Sequence, residues 1–157
     1  MNLTIKERGL LKATLGKSGM RFTRQRELIY EILMEYRDHP TAEELYARAK
    51  KEQPGISLAT VYNGLEALTS CDLIRQVHFE RSSTRFCPNL AEHAHFQCEQ
   101  TGKIFDIPLE TEAASYLKKI LPEGYSAHSF SLSYAGKSPF TEKHSQEKKR
   151  YASPRKL

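Results

Sequence analysis

Two histidines two residues apart, His93 and His95, are followed three residues later by Cys98 in the stretch HAHFQCEQTGK. Imidazole nitrogen and thiolate sulfur are strong donors to transition metals. Residues two apart on a strand face the same side, so His93 and His95 can close on one ion. The stretch also reads as a site with parts missing, because a Cys-x-x-Cys knuckle would place its second cysteine where Thr101 stands. H-x-H alone is common in proteins that bind no metal, so the surrounding elements must decide what these residues do.

The chain has 157 residues, 39% hydrophobic and 27% charged, enough for one ordinary domain or two small ones. No apolar run approaches the roughly 20 residues of a membrane helix. The N-terminus lacks the continuous apolar core of a secretory signal. These features predict a cytoplasmic protein with no membrane partner. The net charge of +5 is compatible with nucleic acid without establishing it. Three cysteines, Cys71, Cys87 and Cys98, are odd in number and irregular in spacing, which argues against a disulfide framework and leaves them as thiols or metal ligands.

The first half predicts helices. In FTRQRELIYEILMEY the residues Leu28, Ile29, Ile32, Leu33 and Tyr36 recur at helical spacing behind a Thr23 N-cap, and Pro40 stops the run. Thr41 and Glu44 form a capping box that opens a second helix with Ala42, Leu45, Tyr46 and Ala49 as its buried stripe. Ser57 caps a third, with Leu58, Val61, Leu65 and Leu68 on one face. The period then shortens, and LIRQVHF and TRFC read as a hairpin joined through ERSS. Three helices and a hairpin are the order of a winged helix-turn-helix, whose third helix enters the major groove.

The second half predicts strands in HAHFQC, GKIFDIP and SAHSFSLSYAG, and one helix in LETEAASYLKKILPEG with Ala113, Ala114, Leu117, Ile120 and Leu121 as its stripe. A β-β-α-β unit of this size is near the lower limit of independent stability and calls for a metal or a partner subunit. The fold class expected is therefore α+β: a winged helix-turn-helix domain over residues 1–87, a small α/β dimerisation domain over 88–140, and a polar basic tail over 141–157, expected to be disordered.

The segments RFTRQRELIYEIL, HPTAEELY, ISLATVYNGLEAL and HAHFQC occur in an order and spacing that resemble the ferric uptake regulator superfamily of metal-dependent bacterial transcription factors. The resemblance covers roughly residues 15–136, and its most specific pieces are SLATVYN and the H-x-H after the wing. It implies a dimer that reads a palindromic operator in double-stranded DNA, with a metal near the hinge setting the DNA-binding shape.

By that resemblance Tyr62 of the third helix lies at the DNA, and Asn63 follows it, a residue able to bind adenine bidentately. Ser57 and Thr60 at the helix N-terminus would contact phosphate, as would Lys17, Arg21 and Arg24; Arg81 and Arg85 sit on the wing. After this helix the family usually has a glycine turn. Here the turn carries Asp72, a residue type that tolerates positive φ.

The resemblance also implies a regulatory metal site, matched here by His39, Cys87, His93, His95 and Asp106. Cys87 replaces the carboxylate usual in iron and peroxide sensors. Thiolate is soft, so the expectation is one divalent ion per subunit, Zn²⁺ ahead of Fe²⁺ or Mn²⁺. His39 would come from the DNA-binding domain, so a shared ion would fix the angle between the domains. Many members also carry two Cys-x-x-C pairs around a structural zinc. Here the first is reduced to Cys98 and Thr101 and the second, expected near YAGKSPF, has no cysteine, so no four-cysteine site is expected and Cys98 reads as a small buried hydrophobe. Glu112 and His128, with Glu92, match a further metal site of some members.

The function these readings imply is a metal-responsive DNA-binding regulator, a repressor in most relatives, and not an enzyme. Two other readings compete. A winged-helix regulator that has lost metal control would explain the absent cysteine pairs but not the retained histidines. A small zinc enzyme would need an open coordination position, a general base and a pocket, and would leave the winged helix unexplained.

Overall fold

The structure is a computed structural model that describes residues 3–139. The expected tail at 141–157 lies outside the described residues. The chain separates into two compact units that divide at Leu90–Ala91.

The first unit holds four helices and a hairpin: α1 (Ile5–Lys17), α2 (Arg24–Tyr36), α3 (Ala42–Glu52), α4 (Leu58–Ser70), β1 (Arg75–Val77) and β2 (Arg85–Cys87). The helix starts follow from their caps. The side chains of Thr23, Thr41 and Ser57 each accept from the backbone N–H three residues on, and Thr41–Glu44 closes a full capping box. Leu28, Ile29, Ile32 and Leu33 of α2, Leu45 and Ala49 of α3, and Val61, Leu65 and Leu68 of α4 form one core. Tyr36 stays outside it, half-exposed under the Arg48 guanidinium at 4.4 Å.

Helix α1 was not expected from the sequence. Thr4 and Glu7 cap it reciprocally, and Leu11 and Leu15 enter the core. Arg8 reaches from α1 to the buried Glu27 of α2. After α4, Asp72 adopts φ +54, the left-handed turn the sequence predicted, and the chain enters β1, paired antiparallel with β2 to make the wing.

The second unit contains β3 (His93–Cys98), β4 (Ile104–Pro108), α5 (Thr111–Lys119) and β5 (Ser133–Gly136). The sheet order is β4-β3-β5, with β4 antiparallel and β5 parallel to β3. The β-β-α-β order matches expectation, but two elements differ in extent. Only Ser133–Gly136 of the expected 126–136 strand pairs with the sheet, so His128 stands outside it. Of the predicted α5 stripe, Ala114 alone is buried; Ile120 and Leu121 lie beyond the helix and are exposed, as is Tyr116. A single three-stranded sheet offers too little apolar surface to cover that side of the helix.

No helix among the described residues is long and apolar enough to cross a membrane.

Candidate functional site

In the second unit, strand pairing assembles a cluster of donors. His95 lies opposite Asp106 across the β3–β4 ladder, so their side chains share a face, and His93 joins them by strand alternation. The Nε2 atoms of His93 and His95 are 2.9 Å apart with the rings edge-on at 74°. Asp106 Oδ1 lies 3.4 Å from His93 Nε2 and 3.7 Å from His95 Nε2. Both histidines are buried. His93 Nδ1 is 2.7 Å from the Ala91 carbonyl, which can only accept, so the ring proton sits on Nδ1 and the Nε2 lone pair faces the cluster.

In the first unit, His39 and Cys87 are both buried and both tied to the wing. Arg85 Nη1 donates to the His39 carbonyl at 2.9 Å, and the Phe86 N–H donates to the Pro40 carbonyl at 3.1 Å. These bonds stitch the loop before α3 onto β2, where Cys87 is the last residue. A ring nitrogen of His39 and the Cys87 sulfur lie within 4.8 Å of one another. The Asn89 N–H donates to that sulfur at 3.4 Å. His39 itself holds φ +56, a conformation rare outside glycine and further restricted by the proline that follows.

Two imidazole nitrogens and one carboxylate oxygen lie within 3.7 Å of one another in the second unit, a donor set that a divalent cation can bind. The donor chemistry therefore fits a metal ion. Glu112 and His128 belong to no group of three or more ligand side chains among the described residues, and Glu92 pairs with Lys118 at 2.9 Å.

Cys98 is fully buried, as expected. The Ser138 hydroxyl, and after it that of Thr101, donate to its sulfur and draw the thiol down to about 6. Thr101 lies in the turn between β3 and β4, where the sequence pattern had suggested a lost cysteine pair, and Ser138 follows β5.

The helix-turn-helix presents α4 with its N-terminus capped. Ser57 Oγ accepts from Thr60 N at 3.1 Å and the two hydroxyls lie 2.8 Å apart. Tyr62 and Asn63 are exposed on the next turn. Tyr62 does not pack under α3; its hydroxyl donates to Glu43 Oε1 of α3 at 2.6 Å. Lys17 at the end of α1, Arg21 and Arg81 are exposed, Arg81 at φ +57 on the wing tip. Arg24 is shared between Glu27 at 3.0 Å and Glu31 at 3.3 Å. Arg85 turns inward, to the His39 carbonyl and to Glu44 at 3.2 Å. Sequence reasoning missed the pairing of Glu43 with Tyr62 and of Glu44 with Arg85. Each lies far along the chain from the residue it holds, and acidic residues early in a helix are common for reasons of the helix dipole alone.

Comparison with known proteins agrees with this layout. The chain is 39% identical over 94 residues to the "Peroxide-responsive repressor PerR" of Staphylococcus aureus strain USA300, a match that takes in 60% of this chain and 64% of that protein. The chain thus spans just under two thirds of the curated relative it matches. Among solved structures, the Campylobacter jejuni peroxide stress regulator superposes with a TM-score of 0.65 at 28% identity, covering 88% of this chain and 97% of that one. A "zinc-bound manganese uptake regulator" superposes with a TM-score of 0.62, also at 28% identity, covering 82% of this chain and 98% of that one. The ferric uptake regulator family model matches residues 17–135, from the end of α1 through β5, and with the winged helix and the donor cluster in place the chain belongs to that family.

Proposed function

We propose that this chain is a metal-responsive transcriptional repressor that acts in the cytoplasm and binds a palindromic operator as a homodimer when its regulatory metal is bound. The convergence of His93, His95 and Asp106 in the second unit carries this reading, because two buried imidazoles and a half-buried carboxylate on one face make a donor set suited to a divalent cation. By the family resemblance, His39 and Cys87, held side by side in the first unit, are the further donors to the same ion. An ion drawing on both sets would restrain how one unit is oriented to the other and so shift the population that fits DNA. The exposed Tyr116, Ile120 and Tyr125 in so small a unit support dimerisation through its apolar surface.

Three nitrogens, one sulfur and one carboxylate suit Zn²⁺ first, the thiolate weighing against Mn²⁺. Bound there, the ion supplies structural restraint and no redox chemistry. The test is a Co²⁺ titration of metal-free protein, wild type against Cys87→Ser, with DNA binding followed on the same samples. Intense thiolate-to-cobalt bands that vanish in Cys87→Ser put Cys87 on the metal and support the zinc reading. DNA binding that stays metal-dependent in His95→Ala would sink the site assignment, and DNA binding that never needs metal would leave a regulator free of metal control.

The identity to a peroxide-responsive repressor favours a second reading, in which Fe²⁺ occupies the same donors and peroxide releases the DNA. Weak cobalt bands unchanged in Cys87→Ser, together with loss of DNA binding when Fe²⁺-loaded protein meets hydrogen peroxide, would favour it over zinc sensing.

A further inference from the structure

We propose that Glu43 fixes Tyr62 as a hydrogen-bond acceptor toward DNA, so that the recognition helix selects a base bearing an exocyclic amine. The inference rests on the operator-binding reading above. A tyrosine hydroxyl has one proton and two lone pairs. In this structure the proton is committed, because Tyr62 Oη donates to Glu43 Oε1 at 2.6 Å. Tyr62 and Glu43 are both exposed on the two helices of the helix-turn-helix, and both helices belong to one compact unit. The pair therefore arrives at DNA already formed.

The consequence is chemical. Phosphate oxygens, thymine O4, guanine O6 and N7 and adenine N7 are all acceptors and need a donor. A Tyr62 oxygen whose proton is taken can offer none of them anything. Adenine N6 and cytosine N4 are the major-groove donors, and they alone match its free lone pairs. The Glu43 carboxylate is also acceptor-only and repels phosphate, which turns the tyrosine from the backbone toward the base edges. It sits in the first turn of α3, where the helix N-terminus favours negative charge. The hydrogen bond from Tyr62 holds the Glu43 carboxyl below the usual glutamate range, so at neutral pH it remains an acceptor.

Asn63, the next residue, can also read adenine, but it does so through N6 and N7 together. This separates the two. The full-length, metal-loaded protein is used to enrich binding sites from a pool of random-sequence duplex DNA. The enriched duplex is then remade position by position with purine for adenine or 2-pyrimidinone for cytosine, which lack only the amine, and with 7-deazaadenine, which lacks only N7. At one position per half-site the wild type should lose about fivefold in affinity without the amine and nothing without N7, the loss expected for one hydrogen bond. Glu43→Ala and Tyr62→Phe should both erase that sensitivity, and Glu43→Ala should bind unrelated duplex more tightly because the freed hydroxyl can donate to phosphate. Positions read by Asn63 should stay sensitive to both analogues in every variant. Glu43→Ala is an exposed change to a good helix former, and unchanged circular dichroism and Co²⁺ binding verify that it folds. Full amine sensitivity retained in Glu43→Ala overturns the proposal, as does an enriched site with no position sensitive to the amine alone. Failure of the wild type to enrich any sequence overturns the operator-binding reading, and this inference with it.

Discussion

Arg85 shows how one side chain can be read two ways. Its place on the wing suits a phosphate contact, yet its guanidinium spends its hydrogen bonds on the His39 carbonyl and on Glu44. His39 holds a left-handed backbone, and Asp38 beside it is gripped bidentately by Arg48 at 2.9 and 2.7 Å. A histidine in such a conformation persists only where its surroundings enforce it, a conformation that costs on the order of 1–3 kcal/mol. Arg85 is one of the enforcers. Arg85→Ala should therefore weaken Co²⁺ binding roughly five- to tenfold, the loss expected for a hydrogen bond from a charged donor. At saturating metal its DNA affinity and salt dependence should match wild type. If Arg85 instead met phosphate, the variant would bind metal normally and its salt slope would fall by about one. The family resemblance was enough to nominate His39, Cys87, His93, His95 and Asp106. What it could not convey was that Arg85 faces inward, because that depends on a carbonyl 46 residues away along the chain.

At the scale of elements, legibility followed the regularity of the apolar pattern. Helices α2, α3 and α4 have a threonine or serine cap and a stripe at helical spacing, and both survive in the structure. Helix α1 has a cap box but two glycines, and its apolar residues fall around the whole helix: Leu11 and Leu15 are buried while Ile5 and Leu10 are exposed. Without a stripe there was no periodic signal to read. Nor did the pattern reveal how closely α4 approaches α2. A Cβ placed on Gly64 would lie 2.3 Å from Ile29 Cδ1, an atom packed in the core. Gly64 thus sets how deeply the recognition helix seats. Gly64→Ala gains about 1 kcal/mol in helix propensity but overpacks the core by typically 1–3 kcal/mol, so urea denaturation should find it destabilised. Ile29→Val removes the clashing methyl at a cost of about 0.5–1.5 kcal/mol by itself. Together the two should be less harmful than their sum, a coupling that a double-mutant cycle measures directly. Strict additivity would mean that α4 shifts away instead of Ile29 turning.

For the whole molecule, the arrangement of sulfur limits what metal can do. A chain with three cysteines cannot build a four-cysteine site of its own, and Cys71 and Cys87 lie in a different unit from Cys98. The hydroxyl groups of Ser138 and Thr101 hydrogen-bond to the Cys98 sulfur. Strand pairing takes up the remaining role: Glu99 N–H donates to the Gly136 carbonyl at 2.8 Å and Cys98 N–H to the Lys103 carbonyl at 2.9 Å, which closes the end of the sheet that a knuckle would have closed. If the dimer rests on apolar surface around α5 and β5, metal removal should cost the protein its DNA and not its partner. Exhaustive chelation should bring the metal content from one ion per subunit to none, lower the Tm, abolish operator binding, and leave a dimer in sedimentation. Thermal stability should fall because an ion that binds only the folded chain contributes stability in proportion to its occupancy. A content of two ions per subunit, or a monomer after chelation, would mean that a second metal holds the subunits together.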